Sequence, residues 1–585
     1  MTKEKKLYSR RFKKNHKISL AEEDSDVEEV QKENVLNLDE TSKKEKKVLI
    51  FVLLAQISIL LSLSFRSFPL FNVFYTGLKE SINTYSGFAM NNGQVPYNNF
   101  YSNDGPIFFL INELGNILGN TWILWGFEVL NLLLISSFIY KLARKRNLSV
   151  SYAILISILS IIGITVTLNG GNLASGFAIY PMLWSIEFIE KIFNSEVDSD
   201  RNFILFGLFQ AITIFIVPGV LLVNILFFVF FFIKFFKDKP FDKQKTYKFI
   251  YNLLSYIFGF LIIFYLIIYY GLINQFLSTA VEQMFILPFQ SIVFDSSLIL
   301  NVVVTLVVLI LIFGKQLISI LKELRGVNKD NIFYKYIICS LLVYFIFTIL
   351  NPMYVIGDMV ILLPLLIVPI LRNENMVDKK FSFLTVMKHL SLPIIGIFAV
   401  LALCINSKIE NKSIFEDEKR VASYLKQETS KKDRAIVLSD DYNIYVNSKR
   451  LAMLPIPLPS YPEKYKLRFE ELLPKTESKF IILEDDYNGV GTKTVKNEIA
   501  SFYSLNKKFK SNNFEVYNRI KSDESLLDDK ESDKEKKSSK EKTKSLSNSS
   551  EKLDSNSSEE LQPVPDFIPD QQYNNFDPNR QYYGQ

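Results

Sequence analysis

The stretch Met90–Pro106, MNNGQVPYNNFYSNDGP, decides how the rest of this chain is read. It sits between a first apolar run at 48–65 and a second at 121–140, so it belongs to a long polar loop outside a first membrane span. A Tyr- and Asn-rich loop ending in Gly-Pro is costly to order unless something binds there. Loops held by a rigid scaffold carry function more often than the scaffold does.

Outward from this loop the apolar runs recur, separated by charged knots, which marks an integral membrane protein. Judged against the roughly twenty apolar residues needed to cross, about eleven spans result. They fall near 48–65, 121–140, 149–168, 173–193, 203–217, 219–236, 249–271, 297–314, 335–350, 356–371 and 390–406. Tight turns at Val217-Pro218 and Asn351-Pro352 join two of the pairs, because proline ends one helix and opens the next. The basic clusters Lys141–Arg146, Lys237–Lys248, Lys315–Lys329 and Arg372–Lys388 follow the second, sixth, eighth and tenth spans, whereas the loops 169–172, 272–296 and 351–355 carry no Lys or Arg. The positive-inside bias then puts the N-terminus in the cytoplasm and the C-terminus outside. The first run lacks a small-residue cleavage site and reads as a retained signal-anchor. The apolar stretch 107–119 is too short to cross and is expected to lie along the outer interface as an amphipathic helix.

Outside the spans, 1–47 and 521–585 read as solvated tails, the first basic and then acidic, the second a Ser/Lys/Glu/Asp polyampholyte. Between them, 407–520 reads as an extracytoplasmic α/β domain. Helices are expected at 419–427, 467–473 and 495–503. Strands are expected at 434–439, 443–446, 479–483 and 514–517.

Composition removes several chemistries. The two cysteines, Cys339 and Cys404, lie inside apolar spans, which argues against a disulfide framework and a catalytic thiol. His16 falls in the basic tail and His389 at the inner end of the last span, so Ser-His-Asp catalysis and His-ligated metals are excluded on the outer face. The net charge of +6 sits in the cytoplasmic loops and implies no nucleic-acid partner. Acid-base chemistry outside must use Asp, Glu, Lys or Tyr. The candidates are Glu80, Asp104 and Glu113 in the first loop, Glu282 and Asp295 before the eighth span, and Asp358 near the outer end of the tenth; Glu128 is an acid within the second span. A carboxylate such as Asp104 or Glu80 can deprotonate an acceptor hydroxyl, and a cation, whether Lys79, Arg66 or a divalent metal, can neutralise a departing phosphate. Tyr85, Tyr97 and Tyr101 can stack on sugar faces, although belt tyrosines at an interface look the same.

Tyr85, Gly87, Met90, Gly93, Pro96, Tyr97, Gly105 and Pro106 resemble, in order and spacing, the first-loop signature of the bacterial C-type-fold (GT-C) glycosyltransferases, which take sugars from polyprenyl-phosphate carriers. Gly207 and Pro218 between two short helices, Tyr354 followed by Pro364, and the outer α/β domain extend the likeness over about 48–520. It implies a polytopic transferase with membrane lipid and a polyprenyl-linked glycan donor as partners and a glycolipid or glycan as acceptor. Chain size and Lys-, Ile- and Asn-rich usage further resemble the teichoic-acid ligases of low-GC Gram-positive bacteria, streptococci among them. The departures fall on charged positions: Lys79 and Glu80 stand at the first family acid, Asn99 and Ser102 replace two others, and Asp104 takes the place of the Lys before Gly-Pro. By position the resemblance also makes Asn99, Gly105 and Tyr354 part of the substrate site. The rival expectations are a non-catalytic glycan-binding partner and a lipid-linked glycan flippase.

Overall fold

The computed structural model describes residues 46–71, 78–196, 200–237, 243–292, 331–372, 412–439, 442–457, 461–485, 489–492, 502–507 and 509–520, with isolated positions and pairs between them. The tails, most of the expected spans 297–314 and 390–406, most of the expected helix 495–503, and Asp295 lie outside the described residues.

The first apolar run forms helix α1 over 46–62. Helices α2 (Leu78–Asn91) and α3 (Pro106–Gly115) follow in the first loop, and α3 covers most of the expected interfacial segment. Next come α4 (Trp122–Lys145), α5 (Val150–Leu168), α6 (Ala174–Phe193), α7 (Asp200–Ile216), α8 (Leu221–Lys237) and α9 (Lys243–Ile273). After α9 the chain makes α10 (Leu277–Val281), a π-turn at Glu282–Ile286 and α11 (Leu287–Gln290), and later α12 (Ile332–Leu350) and α13 (Leu362–Arg372). Among the described residues, α4, α5, α9, α12 and the stretch Pro218–Lys237 are long and apolar enough to cross a membrane. The chain is an integral membrane protein. Apolar side chains such as Leu254, Phe258 and Leu266 stay exposed on α9, as lipid-facing residues do.

Close helix contacts need small residues when no water drives association. Helices α7 and α9 meet at Gly207 and Gly259, where a Cβ would overlap the Tyr256 and Ile204 carbonyls. The expected span 356–371 is different in kind. It begins as a 3₁₀ turn, Ile356–Ile361, and continues as the 11-residue α13, roughly 16 Å long and too short to cross alone. The cause is local: the Asp358 carboxylate accepts from Val355 N at 3.0 Å and caps a tight turn.

The C-terminal part holds α14 (Lys412–Glu428), α15 (Asn443–Ser448), α16 (Glu463–Leu472) and five strands: β1 (Arg434–Leu438), β2 (Leu451–Ala452), β3 (Phe480–Glu484), β4 (Tyr503–Leu505) and β5 (Phe514–Arg519). The sheet order is β2-β1-β3-β5-β4, with β1 parallel to β2 and β3, and β5 antiparallel to β3 and β4. The segment expected as a strand at 443–446 is the helix α15. Its β-branched and aromatic residues favour a strand, but tertiary packing outweighs propensity. Tyr445 is buried, its ring 5.6 Å from Tyr85, and its hydroxyl accepts from Val437 N at 2.8 Å.

The sheet docks on the first loop through its edge strand. Ala452 N donates to the Tyr85 hydroxyl at 2.8 Å, and Gln94 Nε2 donates to Ala452 O at 2.8 Å, so two loop side chains complete the unpaired edge of β2. Tyr442 N donates to Ser81 Oγ at 2.9 Å, and Arg66 donates to the Asn443 side chain.

Candidate functional site

The centre of the site is a buried lysine held by two carboxylates. Lys79, on the first turn of α2, places Nζ 3.1 Å from Asp104 Oδ1 and 2.8 Å from Asp358 Oδ2, and 5.2 Å above the centre of the Tyr354 ring. Lys79, Asp104 and Asp358 are 8%, 2% and 1% exposed, so the three charges are desolvated together. Burial works against the Lys79 ammonium, but Asp104 and Asp358 outweigh it and hold the group above the ordinary lysine range. Asp104 is raised to about 6 by burial and by the Asp358 charge, against the pull of Lys79.

Local structure explains how these groups meet. Asp104 precedes Gly105, whose N–H donates to Ile216 O at 3.0 Å. A side chain at 105 would overlap the Phe215 carbonyl, so only glycine lets the start of α3 approach the end of α7. Tyr97 sits at φ +65, a conformation uncommon for a residue with a side chain. It is held there by Gln283 Nε2, which donates to Tyr97 O at 2.7 Å, and by its own hydroxyl, which donates to Asp104 O at 2.7 Å. Strain of this kind persists only where the surroundings over-determine it. Here it fixes the backbone that aims Asp104.

Several buried polar atoms around the lysine lack a hydrogen-bond partner among the described residues: Asp104 Oδ2, Asn103 Nδ2 and the hydroxyls of Tyr344 and Tyr461. The Asn83 amide lies beside Asp104, and Asn103 beside Tyr354, without closing a full hydrogen bond. The charge of Asp104 reaches both phenols. Native interiors rarely leave such groups unsatisfied, so each needs an explanation. A bound polar ligand would supply the missing partners.

Glu80 is buried beside this cluster, and burial pushes its carboxyl up to about 7, with Asp358 adding and Lys79 and Arg66 opposing. A folded pKa above the ordinary 4.5 means the folded chain binds the proton more tightly than the unfolded one. The associated stability is full below that ordinary value and is lost as pH rises through about 7. Glu80→Gln is therefore expected to gain about 3 kcal/mol over the parent between about pH 5 and pH 8. Thermal unfolding in detergent across that range checks it; parallel pH profiles for parent and variant would show that Glu80 does not titrate there.

The other sequence candidates divide. Asp358 and Tyr354 join Lys79, Glu80 and Asp104. Asn99 instead closes its own loop, accepting from Val95 N at 2.7 Å. Tyr85 and Tyr97 are 0% and 1% exposed with their rings packed on protein aromatics, so their faces are not open to a sugar. Arg66 is committed to Asn443, and Glu113 is half-buried on α3, where its charge acts on Tyr270. Glu282 pairs with Lys464 in the π-turn after α10. Within α4, Glu128 accepts from Ser67 and from Asn172 N at 2.5 Å, bracing the α5–α6 turn. Sequence reading missed Asn103, Tyr344 and Tyr461; nothing near them in the chain marks them, since their partners come from other elements.

The fold is shared with solved structures. ArnT from Cupriavidus metallidurans bound to undecaprenyl phosphate superposes with a TM-score of 0.53 at 10% identity, covering 82% of this chain and 98% of that one. The same protein in the apo state gives 0.50 at 11% identity, covering 82% and 99%. The membrane part with its C-terminal sheet therefore has the GT-C fold expected from the first loop. No curated protein matches the sequence. By sequence, residues 39–403 match the putative competence-induced protein Ccs4 N-terminal domain and 415–521 the Ccs4 C-terminal domain. The chain belongs to the family of the putative competence-induced protein Ccs4.

Proposed function

We propose that this protein is a membrane transferase that moves a sugar or glycopolymer unit from a polyprenyl-phosphate carrier to a hydroxyl acceptor at the outer face of the membrane, in an eleven-span arrangement with the sheet domain outside. The observation that carries it is the buried Lys79–Asp104–Asp358 cluster, ringed by unpartnered polar atoms, in a fold shared with a protein solved with undecaprenyl phosphate. Asp104 is the general base and Oδ2, which bonds to nothing among the described residues, is the atom that takes the proton. The acceptor oxygen bonds to the anomeric carbon as the bond from that carbon to phosphate oxygen breaks, and the carrier phosphate leaves with the electron pair. Protonation of Asp104 weakens its hold on Lys79 as negative charge develops on the phosphate. The ammonium is thereby released toward the leaving group when it is needed.

The finer reading is that the cargo is a teichoic-acid-type chain and the acceptor a glycolipid anchor. Reconstitution with a carrier-linked sugar tests the first level, and the same assay with a carrier-linked teichoic-acid chain tests the second. Full-length protein in vesicles, given an undecaprenyl-phosphate-linked sugar and a glycosyl diacylglycerol, should release undecaprenyl phosphate and extend the glycolipid. Binding of the carrier without turnover under any acceptor would favour a non-catalytic partner.

A further inference from the structure

A second surface leads away from the ionic cluster. Tyr101 of the first loop and Tyr461 and Tyr465 of the sheet domain form a triangle of rings, with centroids 5.6 Å apart for Tyr101–Tyr461, 5.1 Å for Tyr101–Tyr465 and 5.5 Å for Tyr461–Tyr465. These rings pack on Leu287, Met353 and Tyr354, and Tyr354 is the ring beneath Lys79. The path from cluster to triangle is thus continuous. At its outer end Tyr101 and Tyr465 are partly exposed, and Lys464 bonds to Glu282 across the gap between the sheet domain and the π-turn. At its inner end the Tyr461 side chain is 2% exposed, its hydroxyl has no hydrogen-bond partner among the described residues, and it feels the Asp104 charge.

We propose that the partly exposed Tyr101 and Tyr465 offer their ring faces, and the buried Tyr461 its hydroxyl, in a saccharide-binding subsite that seats an uncharged sugar ring of the acceptor toward Asp104. The inference rests on the transferase reading and names the acceptor's recognised part. The ring chemistry selects the ligand. All three rings of this triangle carry a hydroxyl, and that of Tyr461 is buried without a hydrogen-bond partner among the described residues. An apolar face with a polar edge suits a pyranose, which offers C–H groups to the ring and hydroxyls to its rim. Lys464 is neutralised by Glu282, so the lip carries no uncommitted cation from that pair to select a phosphate or an anionic headgroup. The unpartnered Tyr461 hydroxyl then meets a sugar hydroxyl at the end nearest the base.

The test is binding of glucosyl and galactosyl diacylglycerol, each in nanodiscs, to detergent-purified full-length protein without donor, with diacylglycerol and phosphatidylglycerol nanodiscs as comparisons. The glycosylated lipids should bind above both comparisons. Tyr465→Ala and Tyr101→Ala should each weaken that binding by about three- to tenfold, while Tyr465→Phe retains most of it because the face is kept. Tyr465 is partly exposed, so its removal leaves the fold intact, and an unchanged unfolding midpoint verifies this. Equal binding of all four nanodiscs, or undiminished glycolipid binding in the Tyr101→Ala/Tyr465→Ala double variant, overturns the subsite. Asp104→Asn separates the two claims. If that variant transfers at full rate while saccharide binding still follows the tyrosines, the base assignment fails and the subsite stands.

Discussion

Asp104→Asn is expected to lower transfer by about 10²–10⁴-fold, the usual contribution of a positioned general base. The substitution keeps the shape of the side chain and an oxygen that can still accept from Lys79, while Asp358 continues to neutralise the ammonium. The fold should survive, and the unfolding midpoint should move little. What disappears is the proton acceptor. The burial and the neighbouring Asp358 that raise the Asp104 carboxyl toward about 6 also suit it to this work, because a base functions best when its pKa lies near the operating pH. The rate of carrier release by wild-type and variant protein in the same vesicles measures the effect. Turnover of Asp104→Asn equal to that of the parent would remove Asp104 from the chemistry. Glu80→Gln would then be the next variant to examine, since Glu80 is a further acid buried beside the same cluster.

How far the sequence could reach is visible at particular residues. The pattern Gly-x-x-Pro-Tyr followed by Gly-Pro is read locally, so the first loop, the α3 helix it launches and the turn at Pro218 were all legible. Backbone constraints of glycine and proline are properties of a few adjacent residues and survive translation into sequence. Pairings between distant segments do not. Lys79 and Asp358 are far apart in the chain, and Asp358 could be read from sequence only as an isolated interfacial acid rather than as the second anchor of a lysine. Lys79 itself looked free to meet a lipid phosphate, whereas two carboxylates already hold it. The segment 443–446 misled for a related reason: its residues have the propensities of a strand, but the packing of Tyr445 on Tyr85 decides for helix. Tyr85 and Tyr97 show the same limit, since a tyrosine that docks a domain and one that stacks on a sugar are identical letters until burial separates them.

Lys79→Met is expected to cost about 3–5 kcal/mol of stability at neutral pH, the range found when one partner of a buried ion pair is removed. Methionine preserves the length of the stem and its contact with the Tyr354 ring, so the loss isolates the charge. Without the ammonium, Asp104 and Asp358 face each other in a desolvated site, with Glu80 close by. Two such carboxylates cannot both stay ionised cheaply, and at least one is driven to bind a proton at a pH well above the ordinary carboxylate range. The direction of the pH dependence follows from linkage. A carboxyl whose folded pKa is raised contributes stability that is present below the unfolded value and lost as pH rises through the folded one. The variant should therefore approach the parent near about pH 5 and fall furthest below it near about pH 8. Adding Asp358→Asn should restore part of the loss, because it removes one of the two charges left in conflict, and the double-mutant cycle then reads their coupling. Unfolding midpoints of the four proteins in one detergent, taken across that interval, give the answer. A deficit that is the same at every pH, with no recovery on adding Asp358→Asn, would mean that Lys79 stabilises by packing on Tyr354 and not by holding the two acids. That result would also take away the release of Lys79 toward the leaving phosphate, since a lysine that does not bind Asp104 has nothing to be released from.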